Sequence, residues 1–376
     1  MNRMIVFGED WGRHPSSTQH LAKYLSQSKD ITWVNSVGMR APGLNRRDMK
    51  RVVDKAYTLI KPSGSNTDGH ADINFNVINP AVLPWHNVAA VNAYNTRKVM
   101  RAIGPRKSGE KRIYWLSLPT AISMIEIEPE DRVIYYCGDD FMALDGVDRQ
   151  MIAKWEPKLI ARANIIFAAS ERLVKKMPAD KTVLLEHGVD YSLFSTDCAP
   201  HPTIKRDRPT VGFYGSISEW VDVGLLTELA QKRREYDIML VGAVKTDISS
   251  LRVLPNVHVI SAVEHHQLPS FSQHWQALLI PFKHNQQIAA CNPLKLREYL
   301  AAGQPIVSTS FPALEKYRDL VSIADDAHGF ISAIDNAILH SESLRDQIKR
   351  NQRQRVAKHD WSQRACTVTE HINAIM

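Results

Sequence analysis

The chain has 376 residues, 44% hydrophobic and 23% charged, a balance that fits a folded globular protein and argues against a disordered or fibrous one. Its length exceeds the roughly 250–300 residues that one hydrophobic core usually serves, so two domains are expected. The net charge of +7 is uneven: residues 1–190 hold 27 Lys and Arg against 21 Asp and Glu (+6), and residues 191–376 hold 20 against 19 (+1).

The chain opens on a short apolar run, 4–7, that reads as a strand. The flanking MNRMIVFGEDW is too short in apolar residues for a signal peptide, and no later run nears the ~18 of a membrane span, so a cytoplasmic protein is expected. After the strand comes a glycine-containing loop, Gly8-Glu9-Asp10-Trp11-Gly12-Arg13-His14-Pro15-Ser16-Ser17, whose serines suit a helix N-cap. It lacks Gly-x-Gly-x-x-Gly, which argues against a dinucleotide site. Trp11, Arg13 and His14 are candidate binding side chains; the plainer alternative is a surface loop with one buried tryptophan. Glu9 and Asp10 are candidate acid–base groups in the same loop.

Strands are expected at 31–35, 73–78 and 113–118, with helices at 47–60 and 88–103. Much of the basic excess lies in two stretches here, Arg40 to Lys61 and Arg97 to Arg112. Either these are solvated helix faces or they attract anions such as phospholipid headgroups or pyrophosphate. No nucleic-acid-binding motif accompanies them.

The strand at 133–137 runs into Gly138-Asp139-Asp140. Two acids directly beyond a buried strand stand where α/β proteins build their sites. One of them can serve as a general acid or base there; otherwise one or both acids cap the next helix or bind its amides. The first half finishes with a helix at 148–163, strands at 165–168 and 183–185, and Glu186-His187-Gly188-Val189-Asp190. Alternation of this kind implies a parallel sheet. Residues 196–209, with three prolines, several charges and few large apolar groups, read as a linker between an N-terminal domain, 1–195, and a C-terminal domain, 210–359.

The alternation restarts with strands at 211–214, 238–241, 257–260, 277–281, 306–308 and 321–324. His265-His266 lacks ligand spacing and reads as surface or structural. Cys137, Cys198, Cys291 and Cys366 are far apart and form no CxxC pair, so reduced, structural thiols are expected. After the fourth of these strands comes Asn292-Pro293-Leu294-Lys295-Leu296-Arg297-Glu298-Tyr299-Leu300-Ala301-Ala302-Gly303-Gln304-Pro305. Asn292 is a good N-cap, Pro293 suits the first helical position, and Gly303 with Pro305 ends the helix, giving 293–302. Lys295 then stands in the first turn, where the helix dipole disfavours a cation and a capping box would place Glu or Gln. That placement makes sense if an anion binds at the helix end. Glu298, three residues on, lies on the same face, positioned to accept from ribose hydroxyls. The alternative is a surface Lys–Glu pair. A final helix, 360–376, looks like a segment that leaves the second domain.

The run KLREYLAAGQPIVST resembles the donor-site helix of GT-B glycosyltransferases, where Lys-x-x-Glu-Tyr-x-Ala-x-Gly-x-Pro recurs. Thr210-Val211-Gly212-Phe213-Tyr214-Gly215-Ser216 resembles the first strand and glycine loop of their C-terminal domain. Glu186-His187-Gly188-Val189-Asp190 resembles the element that closes their N-terminal domain, and the final helix matches their habit of crossing back to it. Ser218-Glu219-Trp220-Val221-Asp222 is similar to a variant in transferases of teichuronic-acid-type polymers. Position 290, where many retaining members carry the first of two glutamates, is Ala290; the pattern is closer to the inverting glucuronosyltransferase of xanthan assembly.

The resemblance implies two Rossmann-like, doubly wound domains facing a central cleft. It implies donor binding by Gly215, Ser216, Asn292, Lys295 and Glu298, acceptor binding by Trp11, Arg13 and His14, and Asp139 as base. The co-substrate is then a UDP- or GDP-type nucleotide sugar with no further cofactor and no metal. The acceptor is a lipid-linked or polysaccharide chain at an anionic membrane surface in surface polysaccharide synthesis. An epimerase or a non-catalytic assembly partner on the same fold remains the alternative.

Overall fold

The computed structural model describes residues 2–12, 16–35, 73–144, 146–205 and 207–376. The chain divides into two compact units, residues 1–186 with 365–376 and residues 187–364.

In unit 1 the described residues form a seven-stranded parallel sheet: β1 (Asn2–Phe7), β2 (Asp30–Val34), β3 (Asn76–Ile78), β4 (Lys111–Leu116), β5 (Arg132–Cys137), β6 (Ile165–Ala168) and β7 (Thr182–Leu184). The order is β3-β2-β1-β4-β5-β6-β7. Each strand from β1 to β6 apart from β3 is an apolar run with little polar alternation, as burial on both faces demands. Residues Met4 to Phe7, Ile113 to Leu116 and Val133 to Cys137 are buried. The longer helices are α1 (Ser17–Leu25), α2 (Ala89–Ile103) and α3 (Arg149–Arg162).

Unit 2 repeats the plan with β8 (Thr210–Tyr214), β9 (Asp237–Val241), β10 (Val257–Ile260), β11 (Ala277–Ile280), β12 (Ile306–Ser308) and β13 (Ser322–Ile323), in the order β10-β9-β8-β11-β12-β13. Its longer helices are α4 (Val223–Lys232), α5 (Leu294–Ala302), α6 (Ala327–Ile338) and α7 (Glu342–Val356). In each sheet the winding reverses once, between β1 and β4 and between β8 and β11. The crevice outside the strand ends at such a reversal is where open α/β sheets bind ligands.

All thirteen expected strands are present among the described residues, each within a few residues of its expected bounds. The helix expected at 47–60 lies outside the described residues. The division between units falls at Glu186 rather than at 195. Val189 and Phe194 are the reason: both are buried in the unit 2 core. The Gln273 amide donates to the carbonyls of Phe194 (2.9 Å) and Thr196 (2.8 Å). The proline-rich stretch after them also runs along unit 2, with the His201 ring stacked on Phe271. The last helix, α8 (Trp361–Ile375), starts in unit 2 and its residues from 365 onward belong to unit 1. There Arg132 Nε donates to the Ile375 carbonyl at 2.6 Å.

The basic stretch from Arg97 to Arg112 is only partly a surface. Arg112 is buried, donating to Glu110 (2.7 Å) and the Gly104 carbonyl (2.9 Å). Arg106 forms a two-bond pair with Asp131. Val99 is buried and Met100 packs on the core. Arg97, Arg101, Lys107 and Lys111 remain exposed. The stretch from Arg40 to Lys61 lies outside the described residues. Among the described residues no helix is long and apolar enough to cross a membrane.

Candidate donor and acceptor sites

The unit 2 site is built at the β8/β11 reversal. β8 ends at Tyr214, and Gly215 follows with φ 124°, which only glycine adopts freely. The loop after β9 begins with Gly242, φ 147°, where a Cβ would overlap the Gly215 carbonyl. The two glycines therefore let two strand-end loops close on each other. Gly215 N donates to Val241 O (2.9 Å), Ile217 N to Ala243 O (2.9 Å) and Lys245 N to Ile217 O (2.8 Å). The loop is thus held by backbone bonds on one side. On its other side Lys283 N donates to Trp220 O and Asp222 N to Pro281 O, both at 2.8 Å.

Against this frame α5 presents its amino end. Pro293, not Asn292, occupies the cap position, and no side chain caps the helix. Asn292 is buried and its Oδ1 accepts from the fully buried Arg297 at 2.7 Å. A guanidinium inside the unit draws the amide inward, which local cap preference does not register. The helix ends as expected on Gly303 in the left-handed conformation.

Lys295 is the second helical residue. Its ammonium lies 4.7 Å from the Phe213 ring centroid and 5.0 Å from that of Phe282. A Cβ on Gly215 would stand 3.1 Å from Lys295 Nζ, so the lysine rests on the glycine loop. Among the described residues no carboxylate is recorded within ion-pair distance of it. Desolvation lowers its pKa to about 8, against weaker opposing effects of Cys291 and Glu298. Two ring faces offset part of that cost. A half-buried cation at a helix N-terminus, lacking a carboxylate partner, is an arrangement that an anion completes.

Glu298 stands one turn further on. Its Oε2 accepts from Tyr214 OH at 2.8 Å and its Oε1 from His265 Nε2 at 3.1 Å. Ser216 Oγ accepts from Ser218 Oγ at 3.1 Å. Thus Gly215, Lys295 and Glu298 share one corner of the unit with Ser216 in the adjoining loop, while Asn292 faces Arg297 beside it. Phe213, Phe282, Tyr214 and His265 join them. Phe213 and Tyr214 fall in the strand expected at 211–214 and Phe282 just beyond the one at 277–281, with nothing local to mark them as site residues, and His265 reads as surface or structural; the partial burial of His265 against exposed His266 distinguishes the pair. His187 is buried, and burial together with Arg297 and Arg364 pushes its pKa down to about 3, so it is neutral at ordinary pH. A cavity of about 350 Å³ lies by the carboxyl ends of β11 to β13, lined by His284, Asn285, Ile288, Ser310 and Phe311 among others.

In unit 1 the two acids after β5 differ. Asp140 pairs with Lys176. Asp139 is partly buried, its side chain has no recorded partner among the described residues, and burial with the Asp140 charge raises its pKa to about 6. Neither acid caps the next helix; Asp148 does, accepting from Met151 N at 3.1 Å. Behind them Tyr135 OH donates to Glu156 at 2.5 Å. In the loop after β1, the Glu9 carboxylate accepts from Ser16 Oγ and from Gln19 Nε2 (2.9 Å), which ties it to the start of α1. Trp11 packs edge-on against Trp33 (4.8 Å) and Phe75 (4.9 Å) and stays partly exposed. Arg13 and His14 lie outside the described residues. Among the described residues no group of three or more His, Cys, Asp or Glu is placed to hold a metal ion.

Residues 223–370 match the model of the glycosyl transferase-like family. Over 230 residues, 56% of this chain, the sequence is 30% identical to TuaH of Bacillus subtilis (strain 168), a protein provisionally assigned as a teichuronic acid biosynthesis glycosyltransferase. The match spans 58% of that protein, somewhat over half its length. Among solved structures, sucrose-phosphate synthase of Thermosynechococcus elongatus superposes with a TM-score of 0.73 at 13% identity, over 100% of this chain and 99% of that one. HepE of Anabaena, solved with UDP and glucose, gives 0.66 at 11% identity, over 99% of both chains. The structures share the GT-B fold with this chain, and the resemblance to GT-B glycosyltransferases read from the donor-helix motif is borne out.

Proposed function

We propose that the chain is a glycosyltransferase that takes a hexosyl-type residue from a nucleoside-diphosphate sugar, held in unit 2, and passes it to a lipid-linked or polysaccharide acceptor. The observation that carries this is Lys295: a cation at a helix N-terminus, laid on a glycine loop at the sheet's reversal point, with no carboxylate recorded beside it among the described residues. A diphosphate supplies the missing charge, and in the transfer the same lysine and helix dipole stabilise the diphosphate as it leaves. Glu298 then accepts from the ribose. The HepE complex with UDP and glucose, on the same fold, supports a uridine donor.

Asp139 is the proposed general base. A carboxyl with its pKa raised to about 6 is ionised at neutral pH yet basic enough to draw a proton from an attacking hydroxyl. Alanine at position 290, in place of a second donor-side glutamate, supports an inverting course, and the charge placed at Lys295 a metal-independent one. A surface-polymer product agrees with the assignment of TuaH. Docking at an anionic membrane finds support around α2, where Leu83, Trp85, Val88 and Tyr94 are exposed alongside Arg97 and Arg101.

A donor screen tests the reading. Titrated with UDP, GDP, ADP and their glucosyl or glucuronosyl sugars, the protein is expected to bind one nucleoside diphosphate and its sugars at least tenfold more tightly than the corresponding nucleoside. Equal affinity for nucleoside and nucleoside diphosphate removes the diphosphate site.

A further inference from the structure

His265 belongs to none of the motifs that define the site, yet it touches one of its principal groups. We propose that His265 is a positioning residue for the donor's ribose: together with Tyr214 it fixes the Glu298 carboxylate so that the remaining lone pairs face a vicinal diol. This rests on the reading of unit 2 as the nucleotide-sugar site.

The imidazole is held before any ligand arrives. It stands in a short turn after β10, where Glu264 and Gln267 cap each other reciprocally and set the backbone. Its ring meets the edge of Phe194 at 5.4 Å, and Phe194 is fully buried in the core. From there Nε2–H donates to Glu298 Oε1 at 3.1 Å, while Tyr214 OH donates to Oε2 at 2.8 Å. Burial raises the Tyr214 pKa well above its ordinary value, so that hydroxyl keeps its proton and remains a donor. A carboxylate oxygen can accept more than one hydrogen bond, so the bonds from Tyr214 and His265 do not by themselves exclude an incoming hydroxyl.

A glutamate side chain free to rotate loses considerable rotamer freedom on binding. One pinned at both oxygens has already lost it. The same two hydrogen bonds explain why a lysine three residues away does not simply collapse onto Glu298. The carboxylate is engaged by Tyr214 and His265, and the Lys295 ammonium lies over the Phe213 and Phe282 rings.

The test uses wild type, His265→Ala and His265→Gln, titrated calorimetrically with three probes. These are whichever of UDP, GDP and ADP binds wild type best, its 2′,3′-dideoxy counterpart, and inorganic pyrophosphate. Wild type is expected to prefer the ribose form over the dideoxy form. His265→Ala should lose about tenfold of that preference with pyrophosphate affinity unchanged. His265→Gln, which offers an amide N–H at similar reach, should recover most of it. Adding His265→Ala to Glu298→Gln should cause no further loss of the preference. A merely structural histidine would instead weaken all three probes together. Full ribose preference in His265→Ala, or a parallel loss of pyrophosphate, overturns the proposal while leaving the donor site standing. Failure of wild type to bind any of the nucleoside diphosphates overturns both.

Discussion

Replacing Lys295 by alanine is expected to weaken nucleoside-diphosphate binding about 30-fold, roughly 2 kcal/mol, the scale of removing one charge-assisted hydrogen bond from a partly desolvated site. The size follows from the surroundings. The ammonium is set over two phenyl rings, with Glu298 acting on it only from beyond ion-pair distance, so the ligand's negative charge meets a cation with no direct carboxylate partner among the described residues. Alanine also removes the aliphatic stem from Phe213 and Phe282. Lys295→Met keeps that packing and deletes only the charge, so the two variants should lose similar affinity if the charge is what binds. The pH dependence has a definite sign. With a pKa lowered to about 8, the ammonium is lost as pH rises through that value, and affinity of the free protein for the diphosphate should fall there. Calorimetry that finds both folded variants binding like wild type, or affinity flat to pH 9, removes the lysine from the site.

Asp139→Asn is expected to lower kcat by 10²- to 10⁴-fold, the usual range for removing a general base, with donor affinity unchanged. The neighbouring acid serves as a control. Asp140 is already paired with Lys176, so Asp140→Asn should cost far less. Burial and the Asp140 charge raise the Asp139 pKa to about 6, so its base form is lost as pH falls through that value. With Lys295 giving the alkaline limb near 8, kcat/KM should be bell-shaped between about 6 and 8. Under donor saturation the alkaline limb should move upward, because bound diphosphate favours the charged lysine. A full-activity Asp139→Asn enzyme, or an acid limb that persists in it, assigns the base elsewhere.

Much of this fold could be read from the amino-acid sequence because the strands are buried on both faces and therefore appear as apolar runs between polar segments. Lys295 was legible for a different reason: it breaks a local rule, placing a cation where the helix dipole opposes it. What the sequence concealed depends on interactions between distant positions. Asn292 follows local cap preference in sequence but answers to Arg297 in space. Phe213 and Phe282 resemble any strand-end core residues until the lysine is seen above them. The difference between Asp139 and Asp140 is set by Lys176, far along the chain. His265 is linked to Glu298 across 33 positions, a pairing no local pattern encodes. The boundary at Glu186 likewise depends on where Val189 and Phe194 are buried, whereas composition marks only the proline-rich stretch that follows.

The most direct test of the whole account is a transfer assay. Purified protein is incubated with a sugar-labelled donor from the nucleotide screen and a membrane extract from the source cells, and both the label and the free nucleoside diphosphate are followed. Label should move into the extractable lipid or polysaccharide fraction with equimolar release of nucleoside diphosphate, and Asp139→Asn, and Lys295→Met at subsaturating donor, should each slow both in step. Label that remains on the nucleotide as an altered sugar, or no release of nucleoside diphosphate from any donor that binds, would contradict the account.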